Sequence, residues 1–451
     1  MFLKRGPDRV FGFANGLLLA LFAAAVWDLG QAWLAQGPGP GRIRRTLGVL
    51  WRQDHYLFGG WGASWRPKAG AVCFAVGMAS YEVSVAFCNS MARDAWPWVQ
   101  GVLSPVLDWV TFLCFGAKIL FGTRYTWRSL GVAGALYFIA RWVYFNCHNI
   151  WWIGIAVAVL AAKDLPLDKA LRTFLVAGTA AILLVVGLNY AGMLPPAPGL
   201  AAERNLYEIR GTYGYGHPNT FGGLVFGLGM AFAMLRARRP RWADPVIVAA
   251  VGVFLYKGPA CRTAALCCFA LAVLLVWCRL RRDKAVPGLV APLCAAVVPA
   301  LAAVSFLLPL PMVKNGPWWS DFGPAWIARL DDLLTGRLAL VWIAYRLLDV
   351  KIAGQVLPEW PALDNSFVFS LYQFGPVMAL LLAAVIAAAL WGFARRSGRV
   401  EVCCLLVMLL YAYMECQSFH LTTNPAALLL AGAVFAQAPR QWAGVYGPSE
   451  T

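Results

Sequence analysis

Charge is scarce in this chain: Asp, Glu, Lys and Arg together make up 13% of its residues, whereas 61% are hydrophobic. A soluble globule could not hide that much apolar surface, so the scarcity excludes one. Alternation of polar and apolar residues is also missing from the long apolar runs. That excludes a transmembrane barrel, whose strands turn alternate residues to lipid and to a lumen. The 12 cysteines include no C-x-x-C pair and sit mostly inside apolar runs, where they read as small hydrophobes and not as metal or redox ligands. There is no Walker loop and no nucleotide-sugar domain, no internal repeat and no low-complexity tract. The first apolar run lacks a small-residue cleavage site and is expected to be retained.

What is present is a succession of apolar runs. A helix needs roughly 20 apolar residues to cross ~30 Å of hydrocarbon, and about thirteen candidates recur in the sequence. They are 11–27, 70–89, 99–121, 130–145, 151–162, 171–193, 221–235, 245–256, 264–278, 288–308, 367–391, 402–413 and 426–435. The fold class is therefore all-α: one polytopic membrane domain over 1–451, with about 12–13 transmembrane helices.

The net charge of +17 does not indicate nucleic acid, because the basic residues stand in short connectors. Clusters at 41–45 (GRIRR), 124–128 (RYTWR), 236–241 (RARRPR), 279–284 (RLRRDK) and 394–399 (ARRSGR) all follow odd-numbered runs, and the positive-inside rule makes those connectors cytoplasmic. Lys4, Arg5 and Arg9 conflict with this unless the 11–27 run lies along the interface or re-enters. Residues 37–68, basic and aromatic, read as an anchor on membrane lipid headgroups. The even-numbered connectors then face outward. Among them 311–365 is a long extracytoplasmic loop whose TGRLALVWIAYRLL stretch (335–348) reads as a short amphipathic helix, with Thr335 available as its N-cap.

Ionisable residues in or beside membrane helices are costly, and each invites a functional and a structural reading. Glu82, Asp108 and Arg141 are expected to pair with one another and fix helix packing. The passage RNLYEIRGTYGYGHPNTFGG (204–223) has small residues for close backbone approach, a Pro before a new helix and Asn219 to cap it; His217 there reads as a hydrogen-bonded turn residue or as a base. Arg210 and Arg262 at the outer rim would form an anion site with the fork geometry that suits phosphates. ATP is not available outside; a lipid-linked diphosphate is. Asp364 reads as a helix N-cap. Trp318, Trp319 and Trp326 read as membrane anchors or sugar platforms.

Five patches in order, RGTYGYGHPNTFG (210–222), CRTAAL (261–266), TGRLALVWIAY (335–345), LDNSFVFSLYQFGP (363–376) and the weaker ECQSFHLTTN (415–424), resemble the O-antigen polymerase and O-antigen ligase superfamily. These are integral-membrane glycosyltransferases that use undecaprenyl-diphosphate-linked glycans. The resemblance covers roughly 200–430 and implies that Arg210 and Arg262 hold the diphosphate, with Asp364, or His217 as second choice, accepting the proton of the attacking hydroxyl. Arg337 would steer a second diphosphate or close the loop, and Asn219, Asn365, Glu415 and His420 would contact substrate. The ligase branch has a His-Asn pair where this chain has Asp364-Asn365, so the likeness favours the repeat-unit polymerases. It implies no metal and no cofactor, a site on the outer face of the cytoplasmic membrane, and a flippase and a chain-length regulator as pathway partners. A ligase using another acceptor and a lipid-linked oligosaccharide flippase or transporter stay open as alternatives; a transporter would place its polar residues nearer the midplane.

Overall fold

The computed structural model of the chain describes residues 7–52, 54–59, 62, 64–148, 151–197, 210–237, 240–281, 287–312, 324–358, 363–396 and 398–434. Every one of the thirteen apolar runs contains a helix, the structure that satisfies its own backbone where no water can. Among the described residues, nine helices are long and apolar enough to cross a membrane. The helical parts of the other four runs are shorter: at 12, 15 and 16 residues, Trp151–Ala162, Ala243–Lys257 and Arg399–Met414 fall below the expected crossing length, as does the turn-and-helix at 425–434.

The chain divides into two compact units. The first holds the described residues up to Arg141, those from Trp151 to Thr220, and Val434; the second holds 142–148 and 221–433. The first unit contains α1 (Pro7–Ala35), α2 (Arg42–Arg52), α3 (Arg66–Cys88), α4 (Ala92–Ala95), α5 (Ser104–Phe121), most of α6 (Trp127–Cys147), α7 (Trp151–Ala162) and α8 (Leu167–Tyr190). Its centre is α3, which packs on α5 and α8. Gly77 lets Phe115 approach, and Phe74 meets the Phe115 ring at 5.5 Å between centroids. A two-residue strand, β1 (His55–Tyr56), pairs antiparallel with β2 (Arg124–Tyr125).

Helix α1 runs eight positions beyond Trp27, where the apolar run was expected to end. Asp28, the residue just past that run, is buried, with His55 Nε2 3.3 Å from its carboxylate. The helix thus offers a full span over Asn15–Ala35. The mutual pairing expected of Glu82, Asp108 and Arg141 gives way to neutral partners: Ser84 donates to Asp108 at 3.1 Å and Arg141 to Asn15 at 3.3 Å. Hydroxyl and amide groups on neighbouring helices meet Asp108 and Arg141 locally, which spacing in one chain does not reveal, and Glu82 is buried apart from both.

The second unit contains most of α9 (Pro218–Arg236), then α10 (Ala243–Lys257), α11 (Arg262–Leu280), α12 (Val290–Leu307), α13 (Ala325–Leu333), α14 (Arg337–Leu347), α15 (Ser366–Phe369), α16 (Gly375–Arg395), α17 (Arg399–Met414) and α18 (Leu429–Val434). Helix α11 packs on α10 and α17, and α12 on α16. A wide π-turn over Ser370–Phe374 joins α15 to α16. Large apolar side chains point away from the protein, Val273 at 68% and Leu380 at 72% exposed, as hydrocarbon surroundings allow and water does not. The chain is a multi-pass, all-helical membrane protein.

Candidate functional site

Two polar centres stand out, one in each unit. In the first unit, the turn carrying Arg210 and His217 is fastened to the end of α3. Met91 N–H donates to Gly214 O at 2.8 Å, Gly216 N–H to Asn89 O at 3.2 Å, and Ser90 bridges Tyr215. Gly214 has φ +86°, and a Cβ there would lie 2.8 Å from the Asn189 Cβ, so the close approach expected of this glycine-rich stretch is real. Asn219 does not cap α9 as expected. His217 Nδ1 accepts the Asn219 backbone N–H at 3.1 Å, while the Asn219 side-chain oxygen accepts a hydrogen bond from Arg210 Nη2. Arg210, His217 and Asn219 are thereby brought together. Burial, and then the Arg210 charge, hold the His217 imidazole below its ordinary value. A neutral imidazole that accepts at Nδ1 carries its proton on Nε2.

In the second unit, helix ends converge. Arg262 and Thr263 open α11, Ser305 lies near the end of α12, Arg337 opens α14, Asn365 and Ser366 open α15, and Glu415 follows the last residue of α17. Asn365 is the N-cap of α15: its side-chain oxygen accepts from Phe367 N at 2.9 Å and Val368 N at 3.2 Å, and its amide donates to Ser305 at 3.0 Å. The capping role considered for Asp364 therefore belongs to its neighbour. Ser366 Oγ donates to the Glu415 backbone oxygen at 2.6 Å and shares a hydrogen bond with Ser418.

Thr335 does not cap α14 either. Gly336 occupies the cap position at φ +79°, and Asp331, from α13, accepts from Leu338 N at 2.8 Å and Ala339 N at 3.2 Å. A carboxylate from the preceding helix replaces the local hydroxyl because Thr335 Oγ1 is spent elsewhere, accepting from Arg337 Nη1 at 2.7 Å.

Arg337 is the hub. Its Nη2 donates to Glu415 Oε1 at 2.7 Å, its Nη1 also donates to Leu334 O at 3.0 Å, and its Nε lies 3.7 Å from Asp364 Oδ2. The last distance is electrostatic contact without a hydrogen bond. The nearby Thr263 hydroxyl favours the ionised form of Glu415. Exposure separates the three roles: the side chains of Glu415 and Arg337 are 6% and 12% exposed, that of Asp364 is 36%.

Two carboxylates share one guanidinium, so the cluster is one negative charge in excess when both ionise. Burial pushes Glu415 up to about 7, opposed by Arg337 and assisted by Asp364. Burial also raises Asp364, and Arg337 pulls it back. A cluster whose carboxyls burial holds above the ordinary range, with its most exposed member a carboxylate not hydrogen-bonded to its cation, is suited to accepting a proton from a bound hydroxyl. That Arg337 and Glu415 form a pair was not legible, since they lie 78 positions apart.

The remaining expected residues are placed as follows. Arg262 is exposed beside Thr263. His420 stands in the turn after Glu415, where its backbone oxygen accepts from Asn424 N at 2.9 Å, and burial lowers its imidazole to about 4. Trp326 is 55% exposed on α13. Arg204, Glu208, Trp318 and Trp319, like Lys4 and Arg5, lie outside the described residues. Among the described residues no cluster of three or more His, Cys, Asp or Glu side chains has the arrangement to hold a metal ion.

In the second unit the basic connectors gather away from this cluster. Arg236 and Arg279 close α9 and α11, and Arg399, which opens α17, donates to the Arg281 carbonyl. Compared with known proteins, the chain matches no family model, no curated protein and no solved structure.

Proposed function

We propose that the protein is a membrane glycosyltransferase that joins polyprenyl-diphosphate-linked oligosaccharide repeat units into a longer chain. The observation that carries this reading is the Asp364–Arg337–Glu415 cluster at the end of the second unit remote from its basic connectors. By the positive-inside rule that end faces away from the cytoplasm, where the available activated sugars are lipid-linked.

In the proposed reaction Asp364 accepts the proton of the attacking sugar hydroxyl as its oxygen displaces the diphosphate from the donor anomeric carbon. The donor brings its own leaving group, so nucleotide is not required. Arg337 keeps Asp364 oriented and partly ionised, and Glu415 keeps Arg337 in place; both are positioning residues. Asn365 fixes the backbone on which Asp364 is mounted. Arg210 and Arg262 carry the fork geometry that stabilises charge on a departing diphosphate, a role that rests on the family resemblance of their patches. The turn that displays Arg210 supports it: Asn219, whose backbone N–H is held by His217, accepts from that guanidinium through its side-chain oxygen.

The test is a deletion strain without a paralogue. Lipid-linked or surface glycan one repeat unit long is the expected product. Unchanged long polymer would refute polymerase activity; long polymer accumulating on the lipid carrier would identify a ligase.

A further inference from the structure

Helix α2 (RIRRTLGVLWR) is too short and too basic to cross a bilayer, and the proposed chemistry makes no use of it. Both ends are tied to α1. At its start Arg42 donates from Nε to the Trp33 carbonyl oxygen at 3.1 Å and lies over the Trp33 ring, 4.3 Å from its centroid. Just past its end, His55 meets Asp28 at 3.3 Å. Asp28 and Trp33 are separated by only ~7.5 Å of helical rise, whereas an 11-residue helix is ~16 Å long. Both ties thus fall on one short stretch of α1. The apolar span of α1 ends at Ala35, two residues past Trp33. Helix α2 therefore starts at the level where α1 leaves the hydrocarbon.

Its faces fit that position. Thr46 and Leu50 turn into the protein at 1% and 3% exposure. Ile43, Leu47 and Trp51, spaced i, i+4 and i+8, form a second apolar row that is 63%, 43% and 58% exposed. Arg44 and Arg45 are exposed on the side away from Thr46 and Leu50. A row of isoleucine, leucine and tryptophan side chains beside two exposed arginines complements one surface in particular, the boundary between acyl chains and phosphate headgroups.

We propose that α2 lies in the membrane surface with Ile43, Leu47 and Trp51 among the acyl chains, and that Arg44 and Arg45 bind the phosphates of anionic phospholipids. Arg42, engaged by Trp33, sets the angle of the helix. Each exposed arginine at such a surface is worth roughly a fivefold preference for anionic lipid.

The test uses the full chain with benzoylphenylalanine in place of Leu47, reconstituted in phosphatidylcholine containing a quarter phosphatidylglycerol. After irradiation the adducts are read by mass spectrometry. Phospholipid adducts are expected, with the ratio of phosphatidylglycerol to phosphatidylcholine adducts raised about fivefold or more over the bulk ratio of roughly one to three. The enrichment should fall to the bulk share in Arg44→Gln/Arg45→Gln and persist in Arg395→Gln/Arg396→Gln, which removes the same charge from another connector. Absence of lipid adducts, adducts to protein, or unchanged enrichment in Arg44→Gln/Arg45→Gln would each overturn the proposal.

Discussion

Replacing Arg337 by Met keeps most of the side-chain volume and removes the charge between Glu415 and Asp364. Glu415 is 4% exposed and its hydrogen bond from Arg337 is 2.7 Å long, so the usual cost of stripping a buried ion of its partner, about 3–5 kcal/mol, sets the upper bound. Protonation limits that cost. With Arg337 present Glu415 sits at about 7, and without it the carboxyl moves higher. At pH 5 it is neutral in both proteins, and the loss is that of one hydrogen bond, about 1 kcal/mol. Above pH 7 the wild-type carboxyl ionises while the variant's stays protonated, and each further pH unit adds ~1.4 kcal/mol until the variant ionises too. At pH 9 the deficit approaches the upper bound. With an unfolding entropy of about 2.1 cal/mol/K per residue, a chain of 451 residues loses ~1 °C of Tm per kcal/mol. The Tm loss, followed by tryptophan fluorescence in nanodiscs, should therefore grow from ~1 °C at pH 5 to ~3–5 °C at pH 9. In a background carrying both Glu415→Gln and Asp364→Asn the pH dependence should vanish. A loss equal at both pH values, or one that persists in that background, would refute the account of the cluster.

Other outcomes follow from the same contacts. In the wild type, Glu415 rises from 4.5 unfolded to about 7 folded, so its contribution to stability is complete below ~pH 4.5 and declines as pH rises to ~7; Glu415→Gln should flatten that part of a Tm–pH curve. The acid limb of the activity profile should lie above the ordinary carboxylate range, because Asp364 is raised, and shift to lower pH in Glu415→Gln, where Arg337 is left to Asp364 alone. Arg210→Lys should retain part of the chain-extension rate and Arg210→Ala lose about 10²–10³-fold, with the same ranking at Arg262; near-normal rates for both Ala variants would remove the diphosphate role. In a background without accessible native cysteines, Lys351→Cys should react with an impermeant thiol reagent in intact cells and Arg396→Cys should not. The opposite labelling would place the cluster on the cytoplasmic side.

The helical architecture was legible because unbroken apolar runs admit one solution in a bilayer. Helix lengths were less so: the first apolar run ends before Asp28, yet a partner 27 positions away lets that carboxylate be buried inside α1. Caps were misassigned at three places for a common reason. Asp364 and Asn365, Asn219 and His217, and Thr335 and Gly336 are near neighbours that can each present a cap, and backbone geometry together with a competing partner decides between them. Asn365, at φ −74° and ψ 116°, has the extended conformation a cap needs, which composition does not encode. The Arg337–Glu415 pair joins the first residue of α14 to the residue after α17, which lie far apart in the chain. Its only trace in sequence is an acidic residue just beyond an apolar run.

Purified protein supplied with lipid-linked repeat units tests the central claim most directly, with chain extension measured for wild type and Asp364→Asn at equal protein amount. The cap of α15 is Asn365, so Asp364→Asn should fold and reach the membrane at normal levels. The account predicts ladders of extended glycan with release of polyprenyl diphosphate from the wild type, and a rate at least ~10²-fold lower from the variant. No extension by the wild type under any repeat unit from its own host, or full activity of Asp364→Asn, would contradict it.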